Sequence, residues 1–128
     1  MLKTPPRPTD TELAILRVLW ERGPSTVRQV HEAVLGDRET GYTTSLKLMQ
    51  IMTDKGLVTR DESARTHIYT ARLSQDQTQR QLVSDLMQRA FGGSAAALVM
   101  RALSAQPASA EELRDIRKLI EDYRTEHS

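Results

Sequence analysis

Cysteine is missing from this sequence of 128 residues. Without it the chain can form no disulfide, no thiolate metal site and no cysteine nucleophile. Histidine is scarce, and His31, His67 and His127 form neither an HExxH pair nor a carboxylate–histidine cluster. We interpret them as surface residues and expect neither a metal ion nor a cofactor. Because a nucleophile elbow, a phosphate-cradling glycine loop and a triad partner are also lacking, we predict that the protein is not an enzyme.

Long apolar runs and a strong net charge are absent too. No stretch approaches the roughly 20 apolar residues that cross a bilayer, and the opening segment, MLKTPPRPTD, has no apolar core of signal-peptide length. We therefore expect a cytoplasmic protein without membrane insertion. The net charge is +1, but eleven basic against nine acidic residues give +2 for residues 1–73, while seven against eight give −1 for residues 74–128. DNA-binding modules often concentrate basic residues in one part of the chain.

The length suits one ordinary domain, or a small domain with a helical arm. Residues 1–8 contain three of the five prolines and are expected to be extended. Thr9 and Glu12 match a capping box, and the apolar stripe after them predicts a first helix that ends before Gly23.

Two further helices are predicted before residue 57. The second covers residues 25–35, with Ser25 as its N-terminal cap and Gly36 closing it. The third runs from about Thr43 to Lys55 and ends at Gly56, which is suited to a left-handed cap.

After the third helix, the helical spacing of apolar residues ends and the composition becomes typical of β-strands. The segments LVTRD and HIYTARL are rich in β-branched and aromatic residues, and the polar ESART lies between them. This pattern predicts an antiparallel hairpin over residues 57–73. Three helices followed by a hairpin are the elements of a winged helix-turn-helix domain, which we place at residues 1–73.

Residues 74–128 are predicted to form three more helices. Ser74 with Gln77 starts the fourth, the pair Gly92-Gly93 interrupts it, and Ser109 with Glu112 starts the last. The predicted fold class is therefore mainly α with a small β-hairpin: a winged helix-turn-helix domain followed by a C-terminal helical dimerisation region at residues 74–128.

The C-terminal helices carry more apolar surface than a winged helix of this size can cover, so the stripes predict a two-fold dimer. The alternative is that they pack back on their own winged domain. The residues expected at the dimer interface are Leu82, Val83, Leu86, Leu98, Val99, Ile116 and Ile120.

The third helix separates polar from apolar residues. At 100° per residue, Thr43, Lys47 and Gln50 fall opposite the side that carries Ser45, Leu48, Met49 and Met52. A solvated face is the plain interpretation of such a pattern. Three features of the third helix favour instead a helix that enters the major groove of DNA. It follows two core helices, its first turn is rich in hydroxyl groups, and a hairpin comes directly after it. The residues expected to contact DNA are Thr43, Thr44, Lys47 and Gln50, with Arg65 in the hairpin and Arg28 on the second helix as phosphate contacts.

Four segments in this order resemble the penicillinase repressors of the BlaI/MecI/CopY type. They are PTDTELAILRVLWERGPSTVRQVHEAV, GYTTSLKLMQIMTDKGLVTRDES, HIYTARLS and FGGSAAALV, and together they span nearly the whole chain. The resemblance implies a homodimeric winged-helix transcriptional repressor that binds a palindromic operator. It also implies inactivation by proteolysis in the hinge to the dimerisation region, triggered by a membrane metalloprotease sensor or another protease.

The chain departs from this family at three points. Several relatives have Arg where this chain has Ile51, which bears on operator preference. Staphylococcal members are cut at an Asn-Phe pair, and the aligned candidate cleavage region here is Arg101 and Ala102. The copper-responsive branch uses a cysteine cluster, so a Cu(I)-thiolate sensor is excluded here. Two other functions stay open: a winged-helix module that binds proteins instead of DNA, and a ligand-sensing repressor.

Overall fold

The computed structural model describes residues 7–35 and 41–127, and within these ranges it contains six helices and one two-stranded antiparallel hairpin. The mainly helical fold with a small hairpin is therefore confirmed. In chain order the elements are α1 (Asp10–Arg22), α2 (Val27–Leu35), α3 (Tyr42–Asp54), β1 (Val58–Asp61), β2 (Ile68–Ala71), α4 (Gln75–Ala90), α5 (Ala95–Ala105) and α6 (Ala110–Glu126).

The predicted capping pairs of α1 and α4 are confirmed. The Glu12 backbone N–H donates to the Thr9 hydroxyl at 3.2 Å, and the Thr9 N–H donates to the Glu12 carboxylate at 2.9 Å. Ser74 and Gln77 exchange the same two bonds at 3.1 and 2.9 Å. Each pair satisfies N–H groups that have no partner inside the helix, so these helices begin where the sequence indicates.

The predicted cap of α2 is wrong by one residue. Thr26 caps the helix, since its hydroxyl accepts from the Gln29 N–H at 3.2 Å while the Gln29 side chain accepts from the Thr26 N–H at 2.9 Å. Ser25 is held by the hairpin instead, because its N–H and C=O bond the backbone of Tyr69 at 3.0 and 2.8 Å. The predicted closure at Gly36 lies outside the described residues.

The end of α3 leads directly into the hairpin. Gly56 has a φ of +79°, its N–H bonds the Thr53 carbonyl at 3.1 Å, and the Leu57 N–H bonds the Met52 carbonyl at 2.9 Å. These two bonds form a Schellman motif, in which a glycine at positive φ satisfies the last helix carbonyls. The predicted left-handed cap at Gly56 is confirmed, and it places β1 immediately beyond the last turn of α3.

One apolar core joins the first three helices to the hairpin. The Trp20 indole N–H also donates to the Leu73 carbonyl at 3.0 Å, which ties α1 to the chain leaving β2. Each of these elements therefore has a fixed position around the others. The buried core residues are Ile15, Leu16, Leu19, Val27, Val30, Met49, Met52, Leu57, Val58 and Tyr69.

A buried ion pair links the start of α1 to the end of α3. The Lys55 ammonium lies 2.9 and 3.1 Å from the two oxygens of Glu12, whose residue surface is only 2% exposed. Burial raises the pKa of the Glu12 carboxyl, but the Thr9 N–H and the Lys55 ammonium outweigh this effect and lower the net pKa. Glu12 is therefore both a helix cap and the anion of a tertiary ion pair.

We expect Lys55→Met to lower the free energy of unfolding at pH 7 by about 1–2 kcal/mol, because it leaves a buried carboxylate with one partner fewer. The Lys55 side chain is 31% exposed, so the loss belongs at the low end of the range for charged pairs. Because the pKa of Glu12 is lower in the folded chain, its carboxylate stabilises the fold at pH values above the unfolded pKa of about 4.5. This contribution is lost as the pH falls through the folded-state pKa. Urea unfolding at pH 7 and pH 3 measures both effects.

The double variant Glu12→Gln with Lys55→Met is the control for this prediction. Glutamine also suits a capping box, so the double variant keeps the cap and removes the buried charge. It should be more stable than Lys55→Met alone at pH 7. Equal stability of Lys55→Met and the native chain at both pH values would contradict a stabilising role for the pair.

The chain divides into two compact units, the first ending at Leu82 and the second beginning at Val83. Helix α4 contributes to both, and a domain border between residues 73 and 74 stays a prediction. Neither α5 nor α6 contains a buried residue. None of the helices in the described part of the chain is long and apolar enough to span a membrane.

Candidate nucleic-acid interface

Helix α3 presents a polar surface to solvent and an apolar surface to the core. Thr43, Thr44 and Lys47 are exposed, whereas Met49 and Met52 are fully buried. Ser45 is buried on the same side, at 2% exposure. The separation of faces expected from the sequence is therefore present, and the four α3 side chains expected to contact DNA lie on its accessible side: Thr43, Thr44, Lys47 and Gln50.

A chain of contacts fixes the start of α3 against α2. The Nδ1 atom of His31 lies 2.6 Å from the Ser45 hydroxyl, and its ring meets the Tyr42 ring edge-on at 5.8 Å between centroids. On the same tyrosine, the Arg28 guanidinium lies 5.1 Å from the ring centroid, within reach of a cation–π interaction. His31 is thus half-buried and structural, which corrects its interpretation as a surface residue.

An open groove of about 440 Å³ lies between α2, α3 and the hairpin loop. Arg28 from α2 and Arg65 from the loop both line it, together with His67, Tyr42 and the exposed Leu46 of α3. The fold therefore brings together the two arginines that the sequence analysis assigned to phosphates. A concave surface with a guanidinium from each side suits a phosphate backbone, because arginine donates to two phosphate oxygens at once.

Sequence reasoning missed a polar network at the C-terminal half of α3. Arg60 on β1 donates from Nη1 to the Gln50 side-chain oxygen at 2.9 Å, and the Gln50 amide nitrogen donates to Asp54 at 3.1 Å. The Tyr69 hydroxyl, with the Glu62 carboxylate, raises the pKa of Arg60 above its usual value. The spacing of Gln50 and Asp54 by four residues could have indicated their bond. The link to Arg60 depends on how the hairpin packs.

The loop of the hairpin carries Arg65 in an exposed position. The Ser63 N–H donates to the Asp61 carboxylate at 2.9 Å, which lowers the pKa of that carboxyl. An Asp side chain that accepts from the backbone two residues later forms an Asx-turn.

The first unit contains α1, α2, α3 and a hairpin wing, and its α3 has an exposed face of hydroxyl, amide and cationic groups. This combination defines a winged-helix DNA-binding regulator of transcription. A family model described as penicillinase repressor matches residues 8–122. This match spans most of the chain, so the chain belongs to the penicillinase repressor family. The resemblance in the four quoted segments is thereby confirmed.

Individual relatives agree with this assignment. The chain is 38% identical over 93 residues to the transcriptional regulator BlaI of Mycobacterium tuberculosis, in strains CDC 1551 / Oshkosh and ATCC 25618 / H37Rv alike. The alignment covers 70% of this chain and 67% of the relative. Among solved structures, the solution structure of the DNA binding domain of the repressor BlaI matches with a TM-score of 0.50 at 19% identity, over 58% of this chain and 90% of that domain.

These findings establish the family and the winged-helix fold. The protein is a transcriptional repressor of the BlaI type with a DNA-binding winged-helix domain. The relatives are named as regulators of transcription and not as enzymes.

Proposed function

We propose that this protein is a homodimeric repressor, which binds an inverted-repeat operator through α3 and the wing and blocks transcription from the overlapping promoter. The observation that carries the proposal is the groove beside α3 that Arg28 and Arg65 line together with the exposed Leu46. Its place of action is the cytoplasm, its partner is double-stranded DNA, and its function includes no catalytic step or cofactor.

The side chains of α3 suit the major groove. Hydroxyl groups of Thr43 and Thr44 can bond base edges or phosphates, and Lys47 can reach a guanine or a phosphate. Arg28 and Arg65 would bind phosphates of the DNA strands on either side of the groove. These contacts orient α3 on the DNA without selecting a base sequence. Ile51 is 39% exposed, which makes its side chain accessible to a ligand of α3. Several relatives have arginine at this position, whereas this chain has an apolar side chain. We expect its operator to differ from theirs at the contacted base.

The second unit supports association with a second copy of the chain. Val83, Leu86, Val99 and Ile120 are each between 45% and 56% exposed in the single chain. Leu98 and Ile116, and Leu82 at the end of the first unit, are partly exposed. Helices with apolar stripes and no buried residue require a partner surface. A two-fold dimer would place two recognition helices about 34 Å apart, one turn of B-DNA, and so select an inverted repeat.

Proteolysis is the proposed way in which repression ends. Arg101 and Ala102 are exposed on α5, within the second unit. A cut there would damage the dimer and leave the winged domain to bind as a monomer. Because bivalent binding gains about 10²–10⁴ in affinity through effective concentration, the loss of the dimer alone would weaken operator binding by about that factor. A membrane metalloprotease sensor or another protease would make the cut.

Transcription in vitro tests the proposal. Run-off synthesis from the promoter upstream of the protein's own gene should fall as the protein is added, while an unrelated promoter with the same polymerase should be unaffected. Equal transcription from both promoters at protein concentrations that saturate the native duplex would contradict repression.

Replacement of Lys47 by alanine distinguishes base recognition from phosphate binding. If Lys47 bonds a base edge, operator affinity should fall by about 1–3 kcal/mol with relaxed specificity at one position. If it bonds only phosphate, affinity should fall uniformly across sequences and the salt slope should decrease by about one per contact. Competition binding with single-base variants of the operator separates these results. Unchanged affinity and slope would remove Lys47 from the interface.

A further inference from the structure

The side-chain amide of Gln50 lies between two charged groups that impose one orientation on it. Its oxygen accepts from the Arg60 guanidinium at 2.9 Å, and its nitrogen donates to the Asp54 carboxylate at 3.1 Å. A guanidinium only donates hydrogen bonds and an ionised carboxylate only accepts them. Rotation of the amide by 180° would set donor against donor and acceptor against acceptor. An exposed glutamine that could otherwise present either edge is therefore held in one of its two orientations.

Arg60 is itself held in place from the hairpin. Its Nη2 atom pairs with the Glu62 carboxylate at 2.6 Å, and Arg60 stands opposite Tyr69 in the register of the two strands. The Tyr69 side chain is buried in the core and, together with the Glu62 carboxylate, raises the pKa of Arg60. The guanidinium is thus a fixed donor on the wing and not a mobile surface charge.

The two bonds leave the amide with half of its hydrogen-bonding capacity. A primary amide has two N–H donors and two acceptor positions on its oxygen, and one of each is used here. These two bonds leave one donor position on the nitrogen and one acceptor position on the oxygen for a further partner. Adenine presents the complementary pair in the major groove, the N7 acceptor beside the N6 amino donor, whereas guanine presents two acceptors, N7 and O6.

We propose that Arg60 and Asp54 are positioning residues, which hold the Gln50 amide so that it recognises an adenine in each half of the operator. The proposal rests on the proposed function, because it requires α3 to lie in the major groove. It adds a specificity determinant on the wing that contacts no base: Arg60 acts through Gln50. The wing then contributes to sequence recognition as well as to phosphate binding.

The test is a specificity profile of the full-length protein. Affinities are measured for the duplex upstream of its own gene and for every single-base substitution in one half-site. The native protein should prefer adenine over guanine at one position by about 5- to 150-fold, the usual range for a bidentate base contact. Gln50→Ala should abolish this preference and leave the other positions unchanged.

Variants of the positioning residues show whether Arg60 acts through Gln50. Arg60→Met should reduce the adenine preference to within about threefold of that of Gln50→Ala. Combining the two substitutions should reduce it no further than Gln50→Ala alone, because they remove one interaction. Arg60→Lys keeps a cationic donor and should restore part of the preference. Thr59→Ala, also on β1 and exposed, is the matched control and should keep the native profile.

A second variant protects the test against loss of folding in Arg60→Met. Asp54 is exposed at the last residue of α3, where a carboxylate opposes the helix dipole, so Asp54→Ala should fold normally. It frees the amide nitrogen and should also weaken the adenine preference. Replacing the recognised adenine by 7-deazaadenine removes N7 and should weaken binding of the native protein but not of Gln50→Ala.

Each failure has a separate meaning. If the native protein binds the upstream duplex and a scrambled duplex equally, the proposed function fails and the adenine assignment fails with it. If the native protein is specific but Gln50→Ala has an unchanged profile, only the recognition by Gln50 is overturned. If Gln50→Ala loses the preference while folded Arg60→Met and Asp54→Ala both keep it, the positioning role is overturned.

Discussion

Replacing Leu86 and Ile120 by glutamate is expected to produce a monomer that binds the operator at least about 100-fold more weakly than the native protein. Both side chains are about half exposed in the single chain, at 48% and 56%, and they lie on α4 and α6 in the part of the chain that forms the second unit. An interface between two copies would bury them, and a buried carboxylate without a partner strongly opposes association. The winged domain is unchanged, so the variant keeps half-site binding and loses only the gain from bivalency.

The matched control makes the same change in net charge on the opposite sides of the same helices. Gln88→Glu with Lys118→Gln lowers the net charge by the same amount at exposed positions away from the apolar stripes. This control should stay dimeric and bind the operator like the native protein. Sedimentation and operator titration of the three proteins measure both quantities. A dimer that survives Leu86→Glu with Ile120→Glu would place the interface elsewhere.

The second large effect is expected from Arg28→Gln with Arg65→Gln. A dimer would lose four phosphate contacts, and each contact contributes about −0.9 to the slope of log K against log salt concentration, so the slope should become less steep by about 3.6. Affinity should fall most at low salt, and the curves for native and variant proteins should converge as salt rises. The preference for operator over scrambled DNA should be largely retained, because phosphate contacts carry no sequence information.

Arg17→Gln with Arg22→Gln is the control for this variant. Both arginines are exposed on α1 and neither lines the groove. This control removes the same charge from the protein as a whole, so it should change the slope much less. If both double variants change the slope equally, the effect is one of net charge, and Arg28 and Arg65 have no particular role as phosphate contacts.

Local chemistry made most of the fold predictable. Thr9 and Glu12 cap α1, and Gly56 caps α3, through hydrogen bonds between residues that are close in sequence. Their patterns are therefore visible in the sequence itself. The alternation of polar and apolar residues along α3 likewise indicates which side is buried. The error at α2 has a tertiary cause, since Ser25 pairs with Tyr69 across the fold and the cap moves to Thr26.

The candidate site was only partly predictable for the same reason. Lys47 and Arg65 could be assigned from residue type and position in the predicted elements. The groove shared by Arg28 and Arg65, and the bond from Arg60 to Gln50, require the packing of the hairpin against α3. Contacts between residues remote in sequence leave no periodic signal, so they became visible only in the folded chain.

Titration of a fluorescent duplex carrying the DNA upstream of the protein's own gene, across a salt series and beside a scrambled duplex, tests the central claim. We predict tight binding of two protomers to the native duplex, weak binding to the scrambled one, and a steep loss of affinity as salt rises. Equal, weak and salt-insensitive binding of both duplexes would contradict recognition of an operator through α3 and the wing. It would favour a winged helix that binds proteins.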